Sequence, residues 1–154
     1  MLVRVQADAF DAGTEIAALL AGRTDVGGIG CFIGTVRDSA AGRPIEAMTL
    51  EHYPGMTERA LEAIGREAEA RFPLLGGVMV HRVGRLLPGA PIVLVAAASA
   101  HRQAALDATA FLIDWLKTSA PFWKQEHFAG GGTDWVQAKS ADDAAAARWN
   151  PLPS

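Results

Sequence analysis

The chain has 154 residues, of which half are hydrophobic and a fifth are charged. This length and composition predict one compact domain over residues 1–154 and exclude a disordered segment or a coiled coil. The formal net charge of −3 leaves no excess of Lys and Arg to neutralise phosphates, which argues against general nucleic-acid binding.

Three features indicate a cytoplasmic protein. The N-terminal stretch MLVRVQADAF lacks a charged region followed by a long apolar run, so we expect no secretory signal. The longest apolar run, residues 90–100, is too short to cross a bilayer and predicts a buried strand. The single cysteine, Cys31, excludes an internal disulfide and fits a reducing compartment.

The first part of the chain predicts strands around one short helix. The alternation in LVRVQ, residues 2–6, predicts a strand, and Asp11 is a suitable N-cap for a helix that ends near Leu20. The apolar, Gly-rich residues 27–38 predict a second strand, and residues 45–53 are its expected hairpin partner.

The second part predicts further strands around one long helix. Its predicted elements are a helix from Pro54 to about Phe72, strands at 77–86 and 91–99 joined by a Pro-Gly turn, a helix at 100–119 that Pro121 terminates, a hairpin of 122–128 with 133–138 around a Gly-rich tip at 129–132, and a short helix at 141–149. This order predicts an α+β fold, with mixed or antiparallel sheets packed against two or three main helices.

The helix at 100–119 is predicted to be buried on more than one side. Its main apolar face includes Ala108 and Phe111, and a second apolar stripe runs from Leu106 through Ile113 to Lys117. Lys117 therefore lies at the edge of an apolar stripe. The simpler interpretation is a lysine that reaches into water and complements the helix C-terminus.

The N-terminal end of this helix carries cations. Ser99 is the expected N-cap, which places His101 and Arg102 in the first turn, where positive charge opposes the helix dipole. The same arrangement is favourable when an anion binds to the free backbone N–H groups. The alternative is that both side chains point into water or pair with carboxylates.

Other candidate residues have ordinary structural interpretations. Arg37 ends a strand before a turn, a common position for binding residues, but also for a solvated arginine. Phe32 is expected in the core, and Cys31 is expected to be an inert buried thiol. The four histidines show no metal-binding spacing, so we expect no metal site.

Five stretches in this order resemble one family, the large, catalytic subunit of molybdopterin synthase. They are FIGTVRD (32–38), LEHYPGMTE (50–58), HRVGRLLPG (81–89), SAHR (99–102) and LKTSAPFWKQE (116–126). The resemblance extends from about residue 2 to the WVQA segment. It implies an α/β hammerhead-like fold with an additional β subdomain.

The resemblance also implies an activity and its partners. Members of the family convert cyclic pyranopterin monophosphate into molybdopterin by installing two sulfurs, without a cofactor of their own. The sulfur comes from the C-terminal Gly-Gly thiocarboxylate of a small ubiquitin-like carrier. Two large subunits form a central dimer, and one carrier docks on each to give a heterotetramer.

Particular residues match the family's site by position. Lys117 matches the lysine nearest to the carrier's terminal carbonyl, and Lys124 matches a second active-site lysine; Arg37, His101 and Arg102 match residues that bind the substrate's phosphate and pterin, Phe32 matches an aromatic near the pocket, and Glu126 matches an acidic residue beside it. We expect Lys117, partly desolvated beside Lys124, to have a lowered pKa.

Two alternatives to this sulfurtransferase stay open. One is a non-catalytic, anion-binding or scaffold homologue that binds the carrier without chemistry, although such a protein would need neither lysine. The other is a thiol enzyme that uses Cys31. The chain closes with RWNPLPS rather than Gly-Gly, so we expect no carrier sequence at that end.

Overall fold

The computed structural model describes residues 1–137 and 139–150. The elements are, in chain order, β1 (Leu2–Gln6), α1 (Ala12–Leu20), β2 (Gly28–Thr35), β3 (Ser39–Ala40), β4 (Arg43–His52), α2 (Met56–Arg71), β5 (Leu74–Arg82), β6 (Gly84–Leu86), β7 (Pro91–Ser99), α3 (Arg102–Thr118), β8 (Phe122–Phe128), β9 (Thr133–Trp135) and α4 (Ser140–Ala147). The predicted α+β class is confirmed. Ala138 of the predicted last strand and the final residues 151–154 lie outside the described residues.

The first sheet has the strand order β1-β5-β7-β2. Only the β1–β5 pair is parallel, and both neighbours of β7 run antiparallel to it. All of β7 after Pro91 is buried, which explains its continuous apolar sequence, because a strand covered on both faces has no polar side. Met79 and Val95 join the main core cluster, while Val78 and Ala96 join a second cluster that contains residues of α1.

The second sheet corrects the predicted pairing of residues 27–38 with residues 45–53, which is wrong. β4 pairs with β3, β6 and β8, whereas β2 pairs with β7. The chain leaves the first sheet at Val36, whose N–H donates to Ala90 O at 3.0 Å and whose carbonyl accepts from Gly89 at 2.7 Å. The two-residue strand β3 then forms a tight hairpin with the start of β4.

The predicted single strand at 77–86 is divided between the two sheets. β5 belongs to the first sheet and β6 pairs with β4 in the second. The break falls at Gly84, whose φ of 91° lies in the left-handed region that glycine adopts without strain. Here the chain passes directly from the first sheet to the second, because only Val83 separates β5 from β6.

The helix boundaries follow the predicted capping with one exception. Asp11 caps α1 by accepting the Thr14 N–H at 2.7 Å, as predicted. Ser99 is not the cap of α3, because it is the last, buried residue of β7 and its hydroxyl donates to Pro73 O at 2.8 Å. His101 occupies the N-cap position without a side-chain capping bond.

One face of α3 is less buried than the sequence predicts. Ala108, Phe111 and Leu112 are buried, but Leu106 of the second stripe is 55% exposed. Phe32, predicted in the core, is 36% exposed on the edge strand β2. The second stripe of α3 is therefore only partly covered in a single chain, since Ile113 packs against the core while Leu106 and Lys117 are exposed. No helix among the described residues is long and apolar enough to cross a membrane.

Candidate active site

A cavity of about 450 Å³ opens between the C-terminal end of α3 and the second sheet. It is lined by residues of β2 and the segment after it, of β4, of α3, of β8 and β9, and of the start of α4. Four of the seven residues that the resemblance assigned to the site meet here: Arg37, Lys117, Lys124 and Glu126.

The chain reversal after α3 brings the two lysines together. Lys117 lies in the last turn of α3, which ends at its C-cap Ser119. The chain turns at Pro121 and enters β8, where alternation places Lys124 and Glu126 on the same side of the strand. Since β8 pairs along β4, the direction of Lys124 is fixed by a sheet and that of Lys117 by a helix.

The desolvated amine is that of Lys124. The pKa of Lys124 is lowered from 10.5 to about 8, chiefly by burial and also by the neighbouring charges of Lys117 and Lys139, while Asp142 opposes the shift. Lys117 is exposed. The expectation that Lys117 is the partly desolvated lysine is therefore corrected: the residue that meets this description is Lys124.

Arg37 and Glu126 complete the polar lining. Arg37 is exposed, and the two backbone hydrogen bonds of Val36 hold it at the end of β2. Glu126 is half-buried in β8, two positions after Lys124. With two lysines and an arginine against one glutamate, these four residues bear a net positive charge while Lys124 is protonated, which suits an anionic ligand.

The other three assigned residues lie away from this cavity. His101 and Arg102 are at the opposite end of α3, and fifteen residues of helix separate Arg102 from Lys117 by ~22 Å. Both are exposed, and within residues 1–137 and 139–150 neither forms an ion pair with a carboxylate. Phe32 is not among the residues that line the cavity, although Thr35 of the same strand is.

Two charged residues at the cavity were not indicated by the sequence. Lys139 precedes α4 and Asp142 lies in its first turn, and both line the cavity and face Lys124. The segment ADDAAAARW predicts a short helix correctly, but its charges are also typical of a solvated helix start. Only the docking of α4 beside α3 brings them to the site.

A buried histidine lies directly behind the lysines. The ring of His81 stacks on Phe122 with centroids 3.8 Å apart, and its Nδ1–H donates to Arg82 O at 2.9 Å. Burial lowers the pKa of His81 to about 3, and the charges of Lys124 and Lys117 act in the same direction. His81 is therefore neutral at physiological pH and adds no charge to the site.

Metal ligands do not gather in the described part of the chain. Residues 1–137 and 139–150 contain no group of three or more His, Cys, Asp or Glu side chains that could hold an ion. Cys31 is exposed on the edge strand β2, not buried as expected, and partial burial raises the pKa of its thiol. The charged groups that line the cavity are the amines of Lys117, Lys124 and Lys139, the guanidinium of Arg37, and the carboxylates of Glu126 and Asp142.

Known proteins resemble the whole of this chain. The sequence profile of the MoaE protein family matches residues 5–119. The molybdopterin synthase catalytic subunit of Rhizobium meliloti is 55% identical over 148 residues, which cover 96% of this chain and 94% of that protein. The corresponding subunit of Pseudomonas aeruginosa is 54% identical, with 97% and 99% covered.

A solved structure agrees with both the sequence and the fold. The molybdopterin biosynthesis MoaE protein from Burkholderia ambifaria superposes with a TM-score of 0.81 at 51% identity, covering 96% of this chain and 97% of that one. The relatives and the solved structure agree with this chain over nearly its full length, and the family profile agrees over residues 5–119: the chain belongs to the MoaE protein family.

Proposed function

We propose that this chain is the catalytic subunit of a molybdopterin synthase and acts in the cytoplasm. It converts cyclic pyranopterin monophosphate to molybdopterin with sulfur from the C-terminal thiocarboxylate of a small carrier protein. The observation that carries the proposal is the pair Lys117 and Lys124 in one cationic cavity, with the pKa of Lys124 lowered to about 8. A member of the family without this chemistry would have no reason to bury an amine.

The sulfur nucleophile comes from the carrier, so this subunit does not need to supply one. The thiocarboxylate sulfur attacks a substrate carbon as the bond from that carbon to an oxygen of the cyclic phosphate breaks, so the ring opens, the phosphate oxygen keeps the electron pair, and a thioester joins carrier and substrate. The second sulfur enters in the same way, with a substrate hydroxyl leaving as water. Water then adds to the acyl carbon, the acyl carbon–sulfur bond breaks, and the sulfur stays on the substrate while the carrier leaves as a carboxylate. This hydrolysis releases protons, which a basic group beside the thioester accepts.

The two lysines divide this work according to their surroundings. Lys124 has an amine that is partly neutral near pH 8, so it accepts the proton from the attacking water. Lys117 is exposed at the rim, and its ammonium stabilises the negative charge that develops on the acyl oxygen. Arg37 contributes a guanidinium to the anionic substrate, and Glu126 lies beside Lys124 on the same face of β8.

His101 and Arg102 serve the site of a second copy of the chain. Within one chain they lie ~22 Å from Lys117 along the helix, too far to bind the same small substrate. The exposed Leu106 of α3 and the exposed Phe32 of edge strand β2 provide an apolar surface of the kind that a homodimer covers. In such a dimer each site takes its lysines from one chain and these cations from the other.

Reconstitution tests the proposal. The protein is mixed with thiocarboxylated carrier and cyclic pyranopterin monophosphate, and molybdopterin is assayed as its fluorescent oxidation product. We expect product with the wild type and a loss of at least about a hundredfold with Lys124→Ala. Arg85→Ala is a matched control, because Arg85 is an exposed cation of the second sheet that does not line the cavity.

A negative result has a specific meaning. Carrier binding by the wild type without product would favour the scaffold alternative, in which the lysines only attract an anionic tail. Equal activity of wild type and Lys124→Ala would remove this amine from the mechanism.

A further inference from the structure

Thr57 joins two distant segments of the chain through its side-chain hydroxyl. Thr57 is fully buried in the first turn of α2. Its Oγ1 accepts the Tyr53 N–H at 3.0 Å and donates to Pro121 O at 3.1 Å. One hydroxyl thus connects the LEHYPGMTE segment with the LKTSAPFWKQE segment, 64 residues further along the chain.

The bonded carbonyl belongs to the corner between the two lysines. Pro121 lies four residues after Lys117 and three before Lys124. The corner is tight, because the Phe122 N–H donates to Ala120 O at 2.8 Å. A movement at Pro121 therefore changes where α3 ends relative to where β8 begins, and with it the distance between the two amines.

The next residue of the corner is held from a second direction. The Phe122 ring stacks on His81 at 3.8 Å and faces His52 at 6.5 Å, with interplanar angles of 15° and 29°. These rings fix the side chain of the corner, whereas its backbone carbonyl is bonded by Thr57. Thr57 does not line the cavity, so any effect on the chemistry passes through the segments it bonds: the corner, and Tyr53, whose ring packs against the cavity residue Trp123 at 5.2 Å.

We propose that Thr57 is a positioning residue for sulfur transfer, whose hydroxyl fixes the corner at Pro121 and so sets the placement of Lys124 relative to Lys117. This proposal rests on the proposed function. Valine has the same shape as threonine but cannot bond either backbone group, so Thr57→Val removes both bonds while filling the same space. Thr57→Ser keeps the hydroxyl and loses only a methyl group.

The experiment compares Thr57→Val, Thr57→Ser and Thr109→Val in the full chain. Thr109 provides the matched control, because it is also a buried threonine that donates to a backbone carbonyl, Ala105 O, but in the middle of α3. Each variant is assayed in the reconstituted reaction below its own melting temperature, with kcat and the KM for thiocarboxylated carrier determined separately.

A second readout does not depend on turnover. The rate at which acetic anhydride modifies Lys124 and Lys117 is measured by peptide mass spectrometry between pH 6 and 10. The charged and titratable groups around Lys124 are Lys117 of α3, Lys139 and Asp142 at the start of α4, His81 of β5, and Arg37 and Glu126 of the same cavity. None of these is altered by the substitutions, so a change in the pH profile of Lys124 reports its placement.

We expect Thr57→Val to lower kcat about tenfold with KM within about twofold, since the carrier still docks but the reacting groups are misplaced. The Lys124 modification profile should move to higher pH as the amine gains water. Thr57→Ser should restore both readouts, and Thr109→Val should leave both unchanged.

Three results would overturn the proposal. They are a kcat for Thr57→Val within about twofold of wild type, an equal loss in Thr109→Val, or a Thr57→Ser variant as impaired as Thr57→Val. If the wild type makes no product, the proposed function fails separately. The modification profile then still decides whether Thr57 places Lys124.

Discussion

The two ends of α3 carry cations in opposite settings. At the C-terminal end, the charge of Lys117 is favourable toward the helix dipole, and a second amine, Lys124, lies half-buried in a shared cavity. At the N-terminal end, His101 and Arg102 are exposed against the dipole, and the described residues provide them with no carboxylate partner. The C-terminal end of α3 lines a cavity, whereas the N-terminal end presents exposed side chains.

The difference fits the proposed dimer, in which a single chain does not contain the whole site. A cation against the N-terminal dipole costs stability unless an anion or a partner occupies that end. The desolvated Lys124 costs stability at the other end, because burial disfavours its charged form. The exposed cations at one end and the desolvated amine at the other thus both lower the stability of the isolated chain. A dimer that brings them together around an anionic substrate accounts for both.

The largest expected effect comes from breaking the pocket at the lysine end. Lys117→Ala and Lys124→Ala should each lower turnover by roughly a hundredfold or more, because each removes a group that contacts the reacting thioester. Lys124→Arg should not restore activity, since guanidinium stays protonated and cannot accept a proton. Steady-state assays on variants with unchanged circular dichroism will check this, and an active Lys124→Arg would contradict the role of a base.

The next effect tests whether the N-terminal end completes a partner's pocket. Arg102→Ala should lower turnover by roughly tenfold to a hundredfold through weaker binding of the substrate phosphate. Arg102→Ala and Lys124→Ala chains, unfolded and refolded together, should regain activity at about a quarter of the sites, because half of the dimers then contain one intact site. No recovery in the mixture, or a monomer by light scattering, would contradict a site shared between two chains, and the two ends of α3 would then have separate roles.

The sequence predicted the local elements well but not their long-range partners. Caps and breakers are local, so Asp11 and Pro121 indicated correctly where helices begin and end. The pairing of β2 with β7 depends on contacts between residues 56 to 71 positions apart, and the nearer strand β4 was the wrong choice. Loop length alone does not exclude a distant partner.

The candidate site shows the same limit. The motifs identified Lys117, Lys124, Arg37 and Glu126, which meet in the cavity. Sequence periodicity indicated the wrong lysine as desolvated, because burial of Lys124 comes from β4, β8 and α4 together rather than from the pattern of one helix. The sequence did not indicate Lys139 and Asp142, because α4 reaches the cavity only through its packing against α3.

A smaller effect is expected in the pH dependence at the lysine end. If Lys124 acts as its neutral amine, kcat should rise about tenfold per pH unit below its pKa of about 8 and level off above it. Lys117, Lys139 and Asp142 face Lys124 throughout this range, while His81 stays neutral above pH 5 because its pKa is about 3. A flat profile from pH 6 to 9 would exclude proton transfer by Lys124 as the limiting step.

A still smaller effect should distinguish the two lysines by stability. The pKa of Lys124 falls from 10.5 in the unfolded chain to about 8 in the folded one, so unfolded chains bind more protons between these values and stability rises with pH there. Lys124→Met should therefore stabilise the fold at pH 7 by on the order of 2 kcal/mol, with the gain shrinking toward pH 10. Lys117→Met, at an exposed position, is the control, and an equal gain there would contradict burial as the cause.

The smallest expected effect concerns the apolar edge of β2 and the remaining alternative enzyme. Cys31 is exposed on that edge strand, and partial burial raises the pKa of its thiol, so its thiolate is scarce at neutral pH. Cys31 is not among the residues that line the lysine cavity. Cys31→Ser should leave kcat within about twofold when thiocarboxylated carrier is supplied, because the sulfur then arrives on the carrier. A folded, dimeric Cys31→Ser protein without activity would instead contradict the claim that the sulfur comes only from the carrier.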